Sequence, residues 1–299
     1  MANTTRADTV RIPGPDGPLE GTLSRSADAA HIALIIPGSG PIDRDGNSPE
    51  TGLHSDLYQQ MGDALAARGI AALRIDKRGF AGSSGAVANT DEITIEGYAA
   101  DMRDWVDFAG GIAPCVWIAG HSEGGLVAMV TAAKSPEGLC GLILMASPGR
   151  SVGEIMLEQV IANPGNGPLL ADLKGIIADL MQGKTRPMQD VPPAFHGLFA
   201  PGLQRYMINL FGFDPLDIAP NITVPVLILQ GDADLQITVQ DAHALHAAFP
   251  HSTQHILPNV THMMKQDVAG QPLATYANPA LPLAPDMMSI VAAFITQAR

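Results

Sequence analysis

The stretch on which the reading of this chain turns is Val116-Trp117-Ile118-Ala119-Gly120-His121-Ser122-Glu123-Gly124-Gly125. Its first four residues are apolar, and two of them are β-branched, as in a short buried strand. Residues 125–134 carry the composition of a helix. Between them, Gly120-His121-Ser122-Glu123-Gly124 has the G-x-S-x-G spacing of a nucleophile elbow in the strand–turn–helix context that the motif requires. The spacing has a mechanical reason. A serine on so tight a turn is forced into strained backbone geometry, and its hydroxyl is pushed clear of the sheet. Glycines two residues to either side let strand and helix pass without side-chain collision. The helix that follows aims its N-terminus at the same spot, which favours negative charge developing there. Ser122 is therefore the candidate nucleophile.

Working outward, the grammar on both sides of the elbow is alternation. Residues 31–36 and 70–75 read as buried strands, with an amphipathic helix over 56–68 stopped by Gly69 between them. A helix over 95–108 places Tyr98, Met102, Trp105 and Val106 at helical spacing, and 142–146 is another strand. Short apolar strands alternating with helices predict an α/β fold with a mostly parallel, doubly wound sheet covered on both faces. Ahead of it, residues 10–12 and 19–23 flank the turn-rich 13–18 and predict an antiparallel hairpin. The alternation breaks over 150–220, which holds helical runs at 152–161 and 169–181 and many prolines but no strand pattern. It resumes with a strand at 226–229, a helix at 239–249, a strand at 255–257 and a last helix at 286–297. The expectation is one core of residues 1–149 and 221–299, with 150–220 inserted as a helical cap after the strand near 142–146.

Composition bounds the function. With 299 residues, 46% hydrophobic, the chain can bury a large core. Its 30 acidic against 17 basic residues, formally −13 in charge, would repel nucleic acid, and no basic run reverses that locally. Apolar runs are strand-length, far below the ~20 residues of a membrane helix. Residues 1–6 are polar and lead into no apolar segment, so a secretory signal is not expected and a cytoplasmic location is. Cys115 and Cys140 each open an apolar run, and two buried, reduced thiols are expected.

The elbow, together with several further segments, resembles the α/β-hydrolase superfamily, and more narrowly a bacterial carboxylesterase-like subgroup. Those segments are Pro37-Gly38-Ser39-Gly40-Pro41 with Asp43-Arg44-Asp45-Gly46-Asn47, then Leu65-Ala66-Ala67-Arg68-Gly69-Ile70, Arg74-Ile75-Asp76-Lys77-Arg78-Gly79-Phe80, and Gln230-Gly231-Asp232-Ala233-Asp234. The resemblance spans nearly the whole chain and is weakest over 150–220. It implies Ser122 as nucleophile and an oxyanion hole from the backbone N–H groups of Glu123 and Ser39. The usual His-Gly of that loop is here Pro37-Gly38, which leaves Gly40 as a competitor to Ser39. It implies Asp234 as the acid, with Asp232 in the same turn as the competitor, and His262 of Asn259-Val260-Thr261-His262 as the base. The chain order Ser122, Asp234, His262 supports that set.

Other residues read more plainly. His121 should pack beneath the elbow, and the Glu123 side chain should be a helix-start charge or a pocket-rim group. Asp43, Arg44 and Asp45 should form a local ion-pair and turn network. His251 and His255 should be surface or core positions. His243 and His246 sit three apart on a helix with no further ligand nearby, so no metal site is expected. Gly79, Gly82 and Gly85 form no dinucleotide fingerprint, and no cofactor is expected. Met156, Leu157, Met181, Phe195, Phe199, Leu203, Tyr206, Met207 and Phe211 of the insertion would form a cap over the serine; their composition suggests an apolar acyl or alcohol pocket, and residues packing only on the core would show the same composition.

The expected function is a serine carboxylesterase acting on a small-molecule ester through an acyl-enzyme, with no nucleic-acid or membrane partner. A thioesterase or serine peptidase of the same fold is the alternative, and a non-catalytic ligand-binding protein is the rival from another class. A haloalkane dehalogenase or epoxide hydrolase would need a carboxylate where Ser122 stands.

Overall fold

Why the sheet must be covered on both faces is visible within single strands. In the strand His31–Ile36, Ile32, Leu34 and Ile36 enter one hydrophobic cluster, while Ala33 and Ile35 enter a second on the opposite face. The strand Cys115–His121 divides the same way, Val116 and Ile118 against Trp117 and Ala119. A period of two with both phases apolar can be satisfied only between two layers of helices.

The computed structural model describes residues 6–26, 28–271 and 273–297. In chain order the elements are β1 (Arg6–Ile12), β2 (Leu19–Arg25), β3 (His31–Ile36), β4 (Asn47–Ser48), β5 (Leu53–His54), α1 (Leu57–Ala66), β6 (Ala71–Ile75), α2 (Ile95–Gly110), β7 (Cys115–His121), α3 (Glu123–Ala132) and β8 (Leu139–Met145). The helices α4 (Val152–Ala162), α5 (Leu170–Met181), α6 (Pro201–Phe211) and α7 (Pro215–Ile218) follow. The chain then runs through β9 (Val226–Gly231), α8 (Val239–Ala248), β10 (Thr253–Leu257), α9 (Ala274–Ala277) and α10 (Met287–Gln297).

Eight strands form one sheet in the order β1-β2-β6-β3-β7-β8-β9-β10. The β1–β2 hairpin is antiparallel and joins β6 antiparallel, whereas all pairs from β6 to β10 are parallel. The expected hairpin and parallel sheet are both present. The β4–β5 hairpin, paired through Asn47 with His54 and Ser48 with Leu53, is too short to carry a strand pattern in sequence. Helices α2 and α3 cover one face with Tyr98, Trp105, Leu126 and Met129. Helices α1 and α10 cover the other with Tyr58, Met61, Leu65 and Val291.

Between residues 150 and 220 no strand occurs among the described residues. Ile155, Ile176, Leu180, Phe199 and Leu210 from this segment are buried in the same cluster as α2 and α3. Asn209 Oδ1 accepts from Ile95 N–H at 2.8 Å, so α6 caps the start of α2.

The cysteines overturn their expectation. Cys115 and Cys140 are half-buried and joined in a disulfide, with Cα atoms 5.5 Å apart. The cause is register. Strands β7 and β8 are neighbours, and their pairing skips from Val116↔Leu139 to Trp117↔Gly141, which leaves Cys140 as the extra residue beside Cys115. A sequence separation of 25 does not announce that proximity. Among the described residues no helix is long and apolar enough to cross a membrane.

Candidate functional site

Ser122 follows the last residue of β7, the strand flanked by β3 and β8, and precedes the first of α3. Its backbone has φ 54° and ψ −124°, a region that a side-chain-bearing residue visits at a cost of about 1–3 kcal/mol. Two bonds hold it there: Ser122 N–H donates to Met145 O at 2.9 Å, and Gly125 N–H donates to Ser122 O at 2.9 Å. The flanking glycines are needed for space. A Cβ on Gly120 would stand 2.3 Å from Gly124 O, and one on Gly124 would stand 2.5 Å from Ile36 O. The sequence motif and its steric reason therefore coincide.

Asp234 and His262 are brought together although 28 residues separate them, because β9 and β10 are parallel neighbours and both residues lie on loops beyond their C-terminal ends. His262 Nδ1 lies 2.8 Å from Asp234 Oδ2 with both side chains buried. A carboxylate accepts here, so Nδ1 carries a proton and Nε2 is the ring nitrogen turned away from Asp234. Asp234 also accepts from Gln236 N–H at 2.7 Å, Ile237 N–H at 3.1 Å and the Gln230 side chain at 3.1 Å. Burial pushes its pKa up, but His262 and the Gln236 and Ile237 amides outweigh that and hold it below the usual carboxylate range. Asp232 is exposed and receives Asn259 N–H, tying the two loops together instead of facing the histidine.

His121 does more than pack. It is fully buried, with Nε2 2.8 Å from His262 O and Nδ1 2.9 Å from Tyr58 Oη. Burial, aided by the neighbouring His262, drives its pKa down to about 3, so the ring is neutral. A carbonyl only accepts, so Nε2 holds the proton and Nδ1 accepts from the tyrosine hydroxyl. Tyr58 Oη in turn accepts from Gly38 N–H at 2.9 Å. The chain Gly38–Tyr58–His121–His262 thereby joins the 37–41 loop to the backbone of His262. Tyr58, in α1, is a residue that sequence reasoning missed; in sequence it is one more apolar position of an amphipathic helix.

Glu123 meets one of its two expected roles, the acidic residue in the first turn of α3, and not the other. Its side chain is buried and paired with Lys77 Nζ at 2.9 Å, and it is absent from the lining of the cavity at Ser122. Lys77 also donates to Gly38 O at 2.6 Å. The run Asp76-Lys77-Arg78 after a wholly buried strand is the signal that was available. Each of the three forms an ion pair: Asp76 with Arg44, Lys77 with Glu123, Arg78 with Asp101.

The 43–47 segment is a turn hub with long-range ion pairs. Asp43 Oδ1 accepts from the amides of Asp45, Gly46 and Asn47 at 2.9 to 3.0 Å. Arg44 pairs with Asp76 and Glu20, and Asp45 with Arg74, so the expected network is anchored on β2, β6 and the start of the loop after β6. His243 and His246 bond Gln254 and Ser252 on an exposed helix face. His251 is exposed and His255 half-buried.

Ser122, His121 and His262 open into a cavity of about 420 Å³. Its walls are Gly38 and Ser39, then Thr51 and Leu53 of the β4–β5 hairpin, then Leu273 and Tyr276 near α9. Among the described residues, none of its lining comes from 150–220, which corrects the expectation of an apolar pocket built by the insertion. Met156, Leu157, Phe195, Tyr206 and Phe211 of that segment instead pack against or within the hydrophobic core. Among the described residues no Asp or Glu lines the cavity, and no cluster of His, Cys, Asp and Glu is arranged to hold a metal ion.

These features can be set beside known proteins. Residues 51–165 match the family model described as serine aminopeptidase, S33. The chain is 25% identical over 227 residues to esterase EstD of Thermotoga maritima, covering 74% of this chain and 50% of that protein. It thus spans half the length of the curated relative it matches. A thermophilic esterase from Thermogutta terrifontis superposes with a TM-score of 0.61 at 17% identity, over 98% of this chain and 99% of that one. Proline iminopeptidase of Mycobacterium smegmatis does so with a TM-score of 0.64 at 16% identity, over 97% and 98%. The chain has the α/β-hydrolase fold. That an esterase and a peptidase superpose equally well means the fold is neutral between esters and peptides, so the choice rests on the site.

Proposed function

We propose that this chain is a serine carboxylesterase with Ser122 as nucleophile, His262 as general base and acid, and Asp234 orienting the histidine. One observation carries the reading: a strained elbow serine and a buried, Asp-oriented histidine share one cavity. With its proton on Nδ1, His262 offers Nε2 to the Ser122 hydroxyl. The serine oxygen adds to the ester carbonyl, and the tetrahedral oxyanion is received by the N–H groups of Glu123 and Ser39. Gly38 N–H is already taken by Tyr58, whereas Ser39 N–H has no partner among the described residues. Collapse expels the alcohol, protonated by His262. Water activated by the same nitrogen then cleaves the acyl-enzyme and releases the acid.

Esters are favoured over amino-terminal peptides by charge. A free α-ammonium group needs a carboxylate in a partly desolvated pocket, and among the described residues the cavity wall offers none. Ile42, Leu53, Met263 and Leu273 suit a neutral substrate of small to medium acyl length. The segment 150–220 is the proposed helical cap, acting by covering the core beside the site. A cytoplasmic location sits poorly with the Cys115–Cys140 disulfide, since reducing compartments keep such thiols apart.

The test is hydrolysis of p-nitrophenyl esters from acetate to decanoate by wild type and Ser122→Ala, alongside labelling by a fluorophosphonate probe. Turnover over one chain-length range, with both turnover and labelling lost in Ser122→Ala, supports the reading. Equal rates for the two proteins would sink it.

A further inference from the structure

Lys77 is a buried cation that the mechanism above does not use. Its ammonium sits over the Tyr98 ring at 5.0 Å, donates to Gly38 O at 2.6 Å and pairs with Glu123 at 2.9 Å. A buried ammonium has three N–H donors to satisfy, so it takes acceptors beyond its carboxylate, and which backbone carbonyl it takes is informative. Gly38 O belongs to the same peptide unit as Ser39 N–H. A trans peptide is planar, with its C=O and N–H pointing in opposite directions, so whatever fixes the oxygen fixes the N–H. The preceding peptide unit is fixed as well, through Gly38 N–H on Tyr58. Ser39 lines the cavity with Ser122, and a Cβ placed on Gly38 would stand 3.3 Å from Ser122 Cβ.

We infer that Lys77 is a positioning residue for the oxyanion hole, aiming Ser39 N–H at the serine's reaction centre by holding Gly38 O. The inference rests on the proposed esterase reading. A positive charge at the carbonyl end also polarises the peptide and strengthens its N–H as a donor. The other end of the ion pair is the side chain of Glu123, whose own backbone N–H is the second proposed donor. One buried pair therefore ties together the two loops that supply the hole, and it does so without touching substrate.

The experiment compares wild type with the double variant Lys77→Met/Glu123→Leu. Replacing both charges with apolar groups avoids leaving a buried carboxylate alone, which is what would unfold the single variant. The peptide N–H of residue 123 is retained. Folding is checked by thermal melting, kcat and KM are measured on p-nitrophenyl butyrate, and the rate of Ser122 labelling by a fluorophosphonate is followed. The expected result is a folded variant in which kcat and labelling rate both fall about 100-fold while KM moves by less than about threefold. A folded variant with wild-type kcat and labelling overturns the proposal and leaves Lys77 as a buttress. If the double variant does not fold, a crystal structure of phosphonylated wild type decides. The phosphoryl oxygen must lie within hydrogen-bond reach of Ser39 N–H with Lys77 still on Gly38 O; an oxygen held by Gly40 instead, or a displaced Lys77, overturns it. A wild type that neither hydrolyses esters nor takes up the probe removes the esterase reading and this inference together, whereas an active wild type with an equally active double variant removes this inference alone.

Discussion

His121 should give the protein a specific vulnerability to mild acid. In the folded chain its imidazole is neutral with a pKa near 3, against an ordinary value of 6.5. Between those two values the unfolded state binds a proton that the folded state does not. Stability from this group is therefore complete above pH 6.5 and is lost as the pH falls toward 3, at about 1.4 kcal/mol per pH unit. At pH 5.0, one and a half units below the unfolded value, the loss is about 2 kcal/mol. This figure barely changes for any folded pKa under about 4. Glutamine at 121 can accept from Tyr58 and donate to the His262 carbonyl without titrating. Urea unfolding of wild type and His121→Gln at pH 7.5 and 5.0 isolates the effect, because the contributions of all carboxylates cancel between the two proteins. The wild-type advantage should shrink by about 2 kcal/mol from pH 7.5 to 5.0. An advantage that stays constant would mean the ring is not a desolvated neutral acceptor, and the Gly38–Tyr58–His121–His262 chain would lose its proton assignment.

Two further outcomes follow from the walls and from the disulfide. Leu53→Ala enlarges the cavity and should move the preferred p-nitrophenyl ester to an acyl chain about two carbons longer, while Met156→Ala, which packs on the core outside the cavity, should leave the preference unchanged. A shift caused by Met156→Ala instead would return the acyl pocket to the insertion. Reducing the Cys115–Cys140 bond, whose cysteines are 25 residues apart, should cost about 3.5 kcal/mol in urea unfolding at pH 7.5. It should spare kcat, because Cys115 begins β7 and Ser122 follows its far end; an unchanged urea midpoint under reductant would refute the stabilisation.

What could be read from the chain alone was whatever a local pattern enforces. The elbow is legible because strain, glycine spacing and the strand–helix junction lie within ten residues, and the sheet is legible because both phases of its central strands, such as β3 and β7, are apolar. The resemblance chooses Asp234 over Asp232; in the structure Asp234 lies against His262 while Asp232 accepts from Asn259 N–H across the turn. Tertiary structure decided everything that depends on which distant segments meet. The Cys115–Cys140 bond needs a one-residue irregularity in the β7–β8 register, which no composition signals. The cavity walls come from a hairpin near 50 and a segment near 275, whereas the methionine- and aromatic-rich insertion turned inward to the core. Tyr58, Lys77 and His121 look in sequence like a core tyrosine, one charge in the mixed Asp76-Lys77-Arg78 run and a histidine packed beneath the elbow. Their contacts span 63, 46 and 141 residues, and buried polar groups take partners wherever packing brings a matching donor or acceptor, at separations that no local pattern encodes.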